Sequence, residues 1–301
     1  MSLKQVNPSK PMGNAPERFD SAEIQSQWGK IVEIFAYRNL LKNLVIRELK
    51  ARYKNSVLGI VWSLLHPLLM MTVYTILFTV LIPNEGVQKY PIFILVALIP
   101  WQFHTSSMMS SAGSVVNNAA ILKKVYFPRI LLPTSAILAN LVNFLLASIV
   151  LLILLYAFGI GLTIYALWVP LILLTQIVFA LGLAFIFSTL QAFYRDTLMI
   201  LEVGLLAWFF LTPVFYPFER FGEQAEIWGI VFNPARLMRW VNPMASIVDG
   251  YRTVLWGNVG SNGPGPMDPL ALLRTFVTAV LLFIIGYVVF SRSEHLFGEK
   301  L

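Results

Sequence analysis

Arg47, Lys50, Arg52 and Lys54 crowd into eight residues, and the chain after them is apolar from Val57 to Ile82, with His66 as its one ionisable side chain. A basic collar beside such a run draws the collar to the cytoplasmic headgroups and leaves the run in lipid. At 1.5 Å per residue, a helix of this length exceeds the ~20 residues needed to cross hydrocarbon. Within the membrane, ionisable groups are few: His66, His104 and Glu202, a sparse set for the relay of a proton- or ion-coupled carrier. Glu202, about a turn into its run and close behind Arg195 and Asp196, reads as an interfacial salt bridge or cap. His66 precedes Pro67 and reads as a polar contact at a kink.

Other chemistry is missing. No GxxxxGK[ST] string occurs, so the chain is not expected to hydrolyse nucleotide by itself. There is no HExxH, the three histidines lie far apart, and the absence of cysteine removes disulfides and thiolate metal sites. No catalytic residue, metal ligand or cofactor of its own is expected.

The polar stretch QFHTSSMMSSAGS (Gln102–Ser114) has two readings. Small residues such as Ser106, Ser110, Gly113 and Ser114 permit close helix approach, or they form a polar pore wall. Many aromatic residues sit at the ends of apolar runs and can anchor at the interface (Trp62, Trp101 and Tyr216 among them). Tyr74, Trp208, Phe209, Phe210 and Phe215 lie deeper. Aromatic faces pack on the C–H faces of sugars without fixing them, so a wall of rings suits a sliding carbohydrate; packing or lipid contact is the plain alternative for each ring.

The elements that must position these residues follow from composition. With 12% charged residues and mean hydropathy +0.72 over 301 residues, the chain is too poor in charge to cover a soluble surface, where about 25% is usual. The net charge of +7 sits mainly beside apolar runs rather than on a solvated face, so nucleic acid is not an expected partner. Apolar runs at about 57–82, 92–114, 130–158, 165–190, 198–216 and 270–290 predict an all-α polytopic membrane protein with six crossings. Sixteen of the 22 Lys and Arg then fall on one side, which predicts both termini in the cytoplasm.

Residues 1–30, polar and with Pro8, Pro11 and Pro16, predict a disordered cytoplasmic segment without a signal-peptide core. Residues 31–56 predict an amphipathic helix on the membrane surface, Ile34, Tyr37, Leu40, Leu41, Leu44 and Val45 on one arc and its basic residues on the other; a helix packed on protein is the alternative. Residues 57–301 form the transmembrane domain. The connection from Asn117 to Arg129 predicts a short helix parallel to the membrane, able to meet a cytosolic partner. The longest connection, Pro217–Pro269, predicts short helices entering the outer leaflet without crossing, one of them capped by Asn242, started by Pro243 and ended by Gly257.

The ordered strings LKARYKNSVLGIVWSLLHPLL (Leu49–Leu69), IPWQF (Ile99–Phe103), FYRD (Phe193–Asp196), LTPVFY (Leu211–Tyr216) and NPM (Asn242–Met244) resemble the membrane subunit of bacterial ABC exporters of polysaccharides, which move lipid-linked O-antigen, teichoic acid and capsule chains. The likeness runs from about Phe35 to the C-terminus. It implies a homodimer joined by two copies of a separate ATPase subunit that binds ATP and Mg, in the plasma (inner) membrane and in contact with its lipids. It further implies that the segment 117–128 couples to that ATPase, through Asn118, Ile121, Leu122, Lys123, Lys124, Tyr126 and Phe127, and that a gate occupies about Gln224–Gly257. The cargo would be a polyprenyl diphosphate-linked polysaccharide. Its diphosphate would meet Arg47, Lys50, Arg52 or Lys54, and its sugars a channel lined by Trp62, Tyr74, Trp101, Trp208, Phe209, Phe215 and Tyr216. Alternatives are an ABC permease for a drug or small lipid and, with only the isolated Asp196 and Asp249 to support it, a membrane glycosyltransferase.

Overall fold

The computed structural model describes residues 37–81, 86–122, 127–220, 225–227, 230–261 and 263–300. Lipid offers no partner to a backbone amide, so a spanning segment must satisfy its own hydrogen bonds; almost every described element is accordingly helical. Helix α1 covers Arg38–Tyr53. Helix α2 (Trp62–Ile76) is preceded by a 3-10 turn at Gly59–Val61, followed by a π-helical stretch at Leu77–Leu81, and holds Pro67 inside it. Then come α3 (Tyr90–Asn117), the four-residue α4 (Ala119–Leu122), α5 (Leu131–Ala157), α6 (Val169–Phe193) and α7 (Thr197–Phe210). The strands β1 (Ala225–Ile227) and β2 (Ile230–Phe232) pair antiparallel. Helices α8 (Pro234–Val241), α9 (Pro243–Leu255), α10 (Pro269–Ser293) and α11 (Phe297–Lys300) complete the chain.

Among the described residues, five helical segments are long and apolar enough to cross a membrane: Gly59–Leu81, Tyr90–Asn117, Leu131–Ala157, Ile164–Phe193 and Pro269–Leu296. The run expected to cross at 198–216 is different. Its helix stops at Phe210 after 14 residues, about 21 Å against a hydrocarbon core of ~30 Å. Near its start Gln191 accepts a bond from the Leu198 amide, close to the end of α6. Beyond its end Phe215 stacks on Phe78 of the stretch after α2. This short element therefore runs from one end of the bundle towards the other.

Helix α3 is the centre of the bundle. Ile92 to Ile99 are at most 3% exposed, surrounded by residues of α5, α6, α7 and α9. Helix α2 is its opposite, with Trp62, Leu69, Met70, Val73 and Ile76 all exposed. Helices α6 and α10 touch backbone to backbone: a Cβ on Gly182 would lie 2.6 Å from the Phe283 amide nitrogen. Small residues allow this approach, and without a hydrophobic force between helices in lipid, close packing is what holds them.

The short helices begin as their sequences require. Asn233, Asn242 and Asp268 each accept a backbone N–H of the first turn, from Arg236, Ala245 and Leu270, and a proline follows each cap. Proline at the first position lacks only an amide that would be orphaned anyway. Gly257, with φ of +115°, follows α9 as expected. The apolar piece at 227–232, expected in a short helix, contributes instead to the two-stranded pair.

Helix α1 rests against the bundle. The arc bearing Tyr37, Leu40, Leu41 and Leu44 packs against Phe127, Leu131 and Leu132. Leu44 is buried there and the other three are half-buried, at the end of the bundle where α3 finishes and α5 begins; this is called the basic end below. Residues 1–30, expected to be disordered, lie outside the described residues.

Candidate functional site

Arg52, near the last turn of α1, reaches into the bundle. Its Nη1 donates to Asn140 Oδ1 at 2.7 Å and its Nη2 to Ser110 Oγ at 3.2 Å. Asn140 lies nine residues into α5, about 14 Å along that helix, so the guanidinium sits at that depth on the open side of the bundle, where Arg52 remains exposed. Asn140 is 2% exposed and donates from Nδ2 to the Ala136 and Ser106 carbonyls and to Ser110 Oγ. Next to it the Tyr53 hydroxyl donates to Asn143 Oδ1 at 2.7 Å. A guanidinium carries five donors; the three not engaged here have no partner among the described residues.

These groups line a cavity of about 410 Å³ between α1, α2, α3 and α5, with Trp62, His66, Gln102 and Ser106 on its wall. A second cavity, about 280 Å³ and more apolar, lies between α2, α3 and α7 and is lined by Tyr74, Trp101, Glu202 and Phe209. His66 and Gln102 belong to both walls, so the cavities adjoin. From the second a chain of rings continues: Trp101 to Phe209 (5.6 Å between centroids), Phe209 to Tyr74 (6.0 Å), Tyr74 to Phe78 (6.5 Å), Phe78 to Phe215 (5.1 Å) and Phe215 to Tyr216 (4.9 Å). Polar and cationic groups thus gather at one end of the adjoining cavities and ring chain, and aromatic faces at the other.

The four basic residues of the collar part company. Arg52 lines the first cavity; Lys50 and Lys54 are exposed and line neither. Arg47 donates to Asn118 Oδ1 at 2.6 Å. That bond, and the Asn118 donation to the Ser114 carbonyl, leave Asn118 7% exposed. Phe127 is likewise buried, under α1. Of the other residues assigned to coupling, Ile121 is exposed and Leu122 half-buried; Lys123, Lys124 and Tyr126 lie outside the described residues.

Of the aromatic set, Trp62 lines the first cavity and Tyr74, Trp101 and Phe209 the second. Trp208 lines neither. Its ring stands edge-on to Trp101, His104 and Phe179, and its Nε1 donates to the Asn242 cap at 2.9 Å. Phe215 and Tyr216 form the far end of the ring chain.

Glu202 was expected as a salt bridge or cap and is neither. It faces the second cavity, five residues past the start of α7, and makes no ion pair among the described residues. The serine-rich stretch divides by face: Gln102 and Ser106 line the first cavity, whereas Ser107, Ser111 and Ser114 are buried in helix packing. Asn140 and Asn143 were not singled out from the sequence. Two amides within an otherwise greasy run are the signal that pointed to them, because a polar side chain in lipid is expensive and needs a partner.

No group of three or more acidic, histidine or cysteine side chains gathers as a metal site among the described residues.

Residues 39–256 match the family described as ABC-2 type transporter. The chain is 35% identical over 269 residues to an O-antigen export system permease protein RfbA of Myxococcus xanthus, covering 89% of this chain and 98% of that one. Two proteins of the same description from Klebsiella pneumoniae are each 31% identical over 264 residues, covering 87% of this chain and 95% of theirs.

Proposed function

We propose a function from one premise: the chain belongs to the ABC-2 type transporter family, as a multi-pass permease subunit rather than an enzyme. On this reading it carries a polyprenyl diphosphate-linked polysaccharide outward across the plasma membrane. Two copies form the passage, and two copies of a separate ATPase, holding ATP and Mg, drive it. The basic end faces the cytoplasm, by the excess of Lys and Arg there. Helix α7 with the turn after it completes six crossings, its short helix tolerated because the backbone beyond Phe210 is covered by protein.

The observation that carries this reading is the adjoining pair of cavities sharing His66 and Gln102. A lipid diphosphate is anionic and needs cationic hydrogen-bond donors, which Arg52 supplies where the path begins. Sugars following it need a surface that binds without fixing register, which the ring chain supplies. Exposed α2 borders both cavities, so a second protomer placed against it would close the groove into a channel. The ATPase would act on α1 and the segment after α3, which Arg47 and Asn118 join, and shift the protomers between closed and conducting arrangements.

The test fills the junction. Gln102→Trp inserts a bulky ring where the two cavities meet, while Arg38→Gln alters an exposed residue away from them. Surface polysaccharide, membrane insertion and the co-purifying ATPase are measured in cells. Loss of surface glycan with normal insertion and ATPase association supports the path; normal export by the Gln102→Trp protein overturns it. ATPase stimulation by a small amphiphile but not by lipid-linked glycan would move the cargo to the drug or small-lipid class.

A further inference from the structure

At the end of the bundle opposite α1, a cavity of about 550 Å³ lies between α8 and the start of α10, with Arg236, Arg239, Arg274, Trp240, Asp268 and Leu270 on its wall. It is separate from the two cavities of the proposed path and shares no residue with them. We propose that it binds the phosphate of a membrane amphiphile, with the phosphate among the three guanidinium groups and the apolar chain along Trp240 and Leu270.

The charges come first. Arg239 donates through Nε to Asp249 Oδ2 at 2.9 Å. Arg274 donates through Nη2 to the Arg239 carbonyl at 2.7 Å and to Ser246 Oγ at 3.1 Å, which brings the two cations together. The Arg236 side chain is exposed and has no partner among the described residues. One carboxylate, Asp268, shares the cavity, and its Oδ1 accepts the Leu270 amide as a helix cap. Among the described residues, three cations stand against one carboxylate on the wall, with Asp249 behind Arg239, which makes the cavity positive. Guanidinium forks match phosphate oxygens in bidentate fashion.

The surroundings select an amphiphile over a free anion. Trp240 lies under the Arg274 guanidinium, 4.6 Å from ring centroid to Cζ, and is 60% exposed; Leu270 and Leu237 are 75% and 50% exposed. These apolar surfaces begin where α10 enters its apolar run, the level at which Trp and Arg meet headgroups. An anionic phospholipid and the phosphorylated lipid carrier of the cargo share this chemistry.

The test uses the full chain with its co-purifying ATPase in lipid nanodiscs, and native mass spectrometry counts retained lipid. Phosphatidylglycerol should be retained above phosphatidylcholine, and Arg236→Gln should lower that retention roughly tenfold, the scale of one charge-assisted bond. Asp268→Asn keeps the cap and removes the carboxylate, so retention should rise, a gain that a merely structural residue would not give. Displacement of phosphatidylglycerol by a polyprenyl phosphate assigns the site to the carrier; resistance to it assigns the site to bulk lipid. The proposal is overturned if Arg236→Gln and Arg274→Lys retain as much lipid as the unaltered protein, or if inorganic phosphate alone displaces it at the same concentration. Failure here leaves the path through His66 and Gln102 standing, because the Gln102→Trp experiment does not involve this cavity.

Discussion

Arg47 Nη2 lies 2.6 Å from Asn118 Oδ1, across 71 positions of sequence. The bond fastens α1 to the end of the central helix α3, beside the short α4 that leads into the segment expected to meet an ATPase. The Arg47 side chain is 39% exposed and also meets Glu48 at 3.4 Å, so this part-buried bond contributes less than the full charge-assisted value, on the order of 1 kcal/mol. It also limits how far either element can move alone.

The first prediction concerns this fastening. Arg47→Gln and Asn118→Ala should each reduce export several-fold, and the double variant should be little worse than either single one, since both remove the same contact. Export is read as surface polysaccharide per inserted permease. Additive losses would mean that Arg47 and Asn118 act separately, with Arg47 then free to serve the cargo directly.

Arg52 is predicted to behave otherwise. Arg52→Gln removes the only Lys or Arg among the described residues lining the first cavity and should cut export about tenfold or more, on the scale of a lost charge-assisted contact. Arg52→Lys keeps the charge but cannot span Asn140 and Ser110 with a planar fork, so its export should be intermediate. Lys50→Gln and Lys54→Gln, outside both cavities, should stay near normal. Equal effects at all four basic positions would point to membrane orientation rather than cargo contact.

Much of this arrangement was legible in the sequence, for identifiable reasons. Apolar runs longer than a bilayer leave few alternatives to a crossing helix, and Asn242-Pro243 reads as a helix start because cap and proline act locally. What could not be read was which neighbour each face meets. Leu40, Leu41 and Leu44 form the same arc whether lipid or Leu131 and Leu132 cover it. Trp101 and Trp208 are both rings in apolar runs, yet one faces a cavity and the other is held by Asn242. Glu202 lacks the neighbours that would make it a salt bridge because α7 turns it towards α2. The strand pair at 225–232 escaped notice because six residues carry too little pattern to separate strand from helix.

The third prediction separates those two kinds of ring. Trp208→Phe removes the bond to Asn242 Oδ1, which also accepts the Ala245 amide and starts α9. It should lower thermal stability by about 0.5–1.5 kcal/mol, the net contribution of one part-buried hydrogen bond. Phe209→Leu and Tyr74→Leu instead remove aromatic faces from the second cavity. They should reduce glycan export with a smaller loss of stability, measured as the midpoint of heat-induced aggregation in detergent. If Trp208→Phe slows export at full stability, Trp208 belongs with the lining rings after all.

The last prediction rests on glycine. Gly182 and Gly286 face each other in α6 and α10, and a Cβ on Gly286 would overlap the Gly182 carbonyl oxygen. A Cβ on Gly182 would come within 2.6 Å of the Phe283 nitrogen and 2.7 Å of the Leu282 carbonyl carbon. These are backbone atoms, so no side-chain rotation relieves the clash and the helices must separate. Overpacking of this kind costs about 1–3 kcal/mol or more, and in lipid no hydrophobic force draws the pair back together. Gly204, inside α7, has nothing within 4 Å of where its Cβ would be. There alanine gains about 0.8–1.0 kcal/mol of helix propensity. The same substitution is therefore expected to lower the thermal midpoint at Gly182 and Gly286, and to leave it unchanged or raise it at Gly204. Equal tolerance at all three positions would mean that α6 and α10 are not in backbone contact in the membrane, and that the bundle around α3 is looser than described.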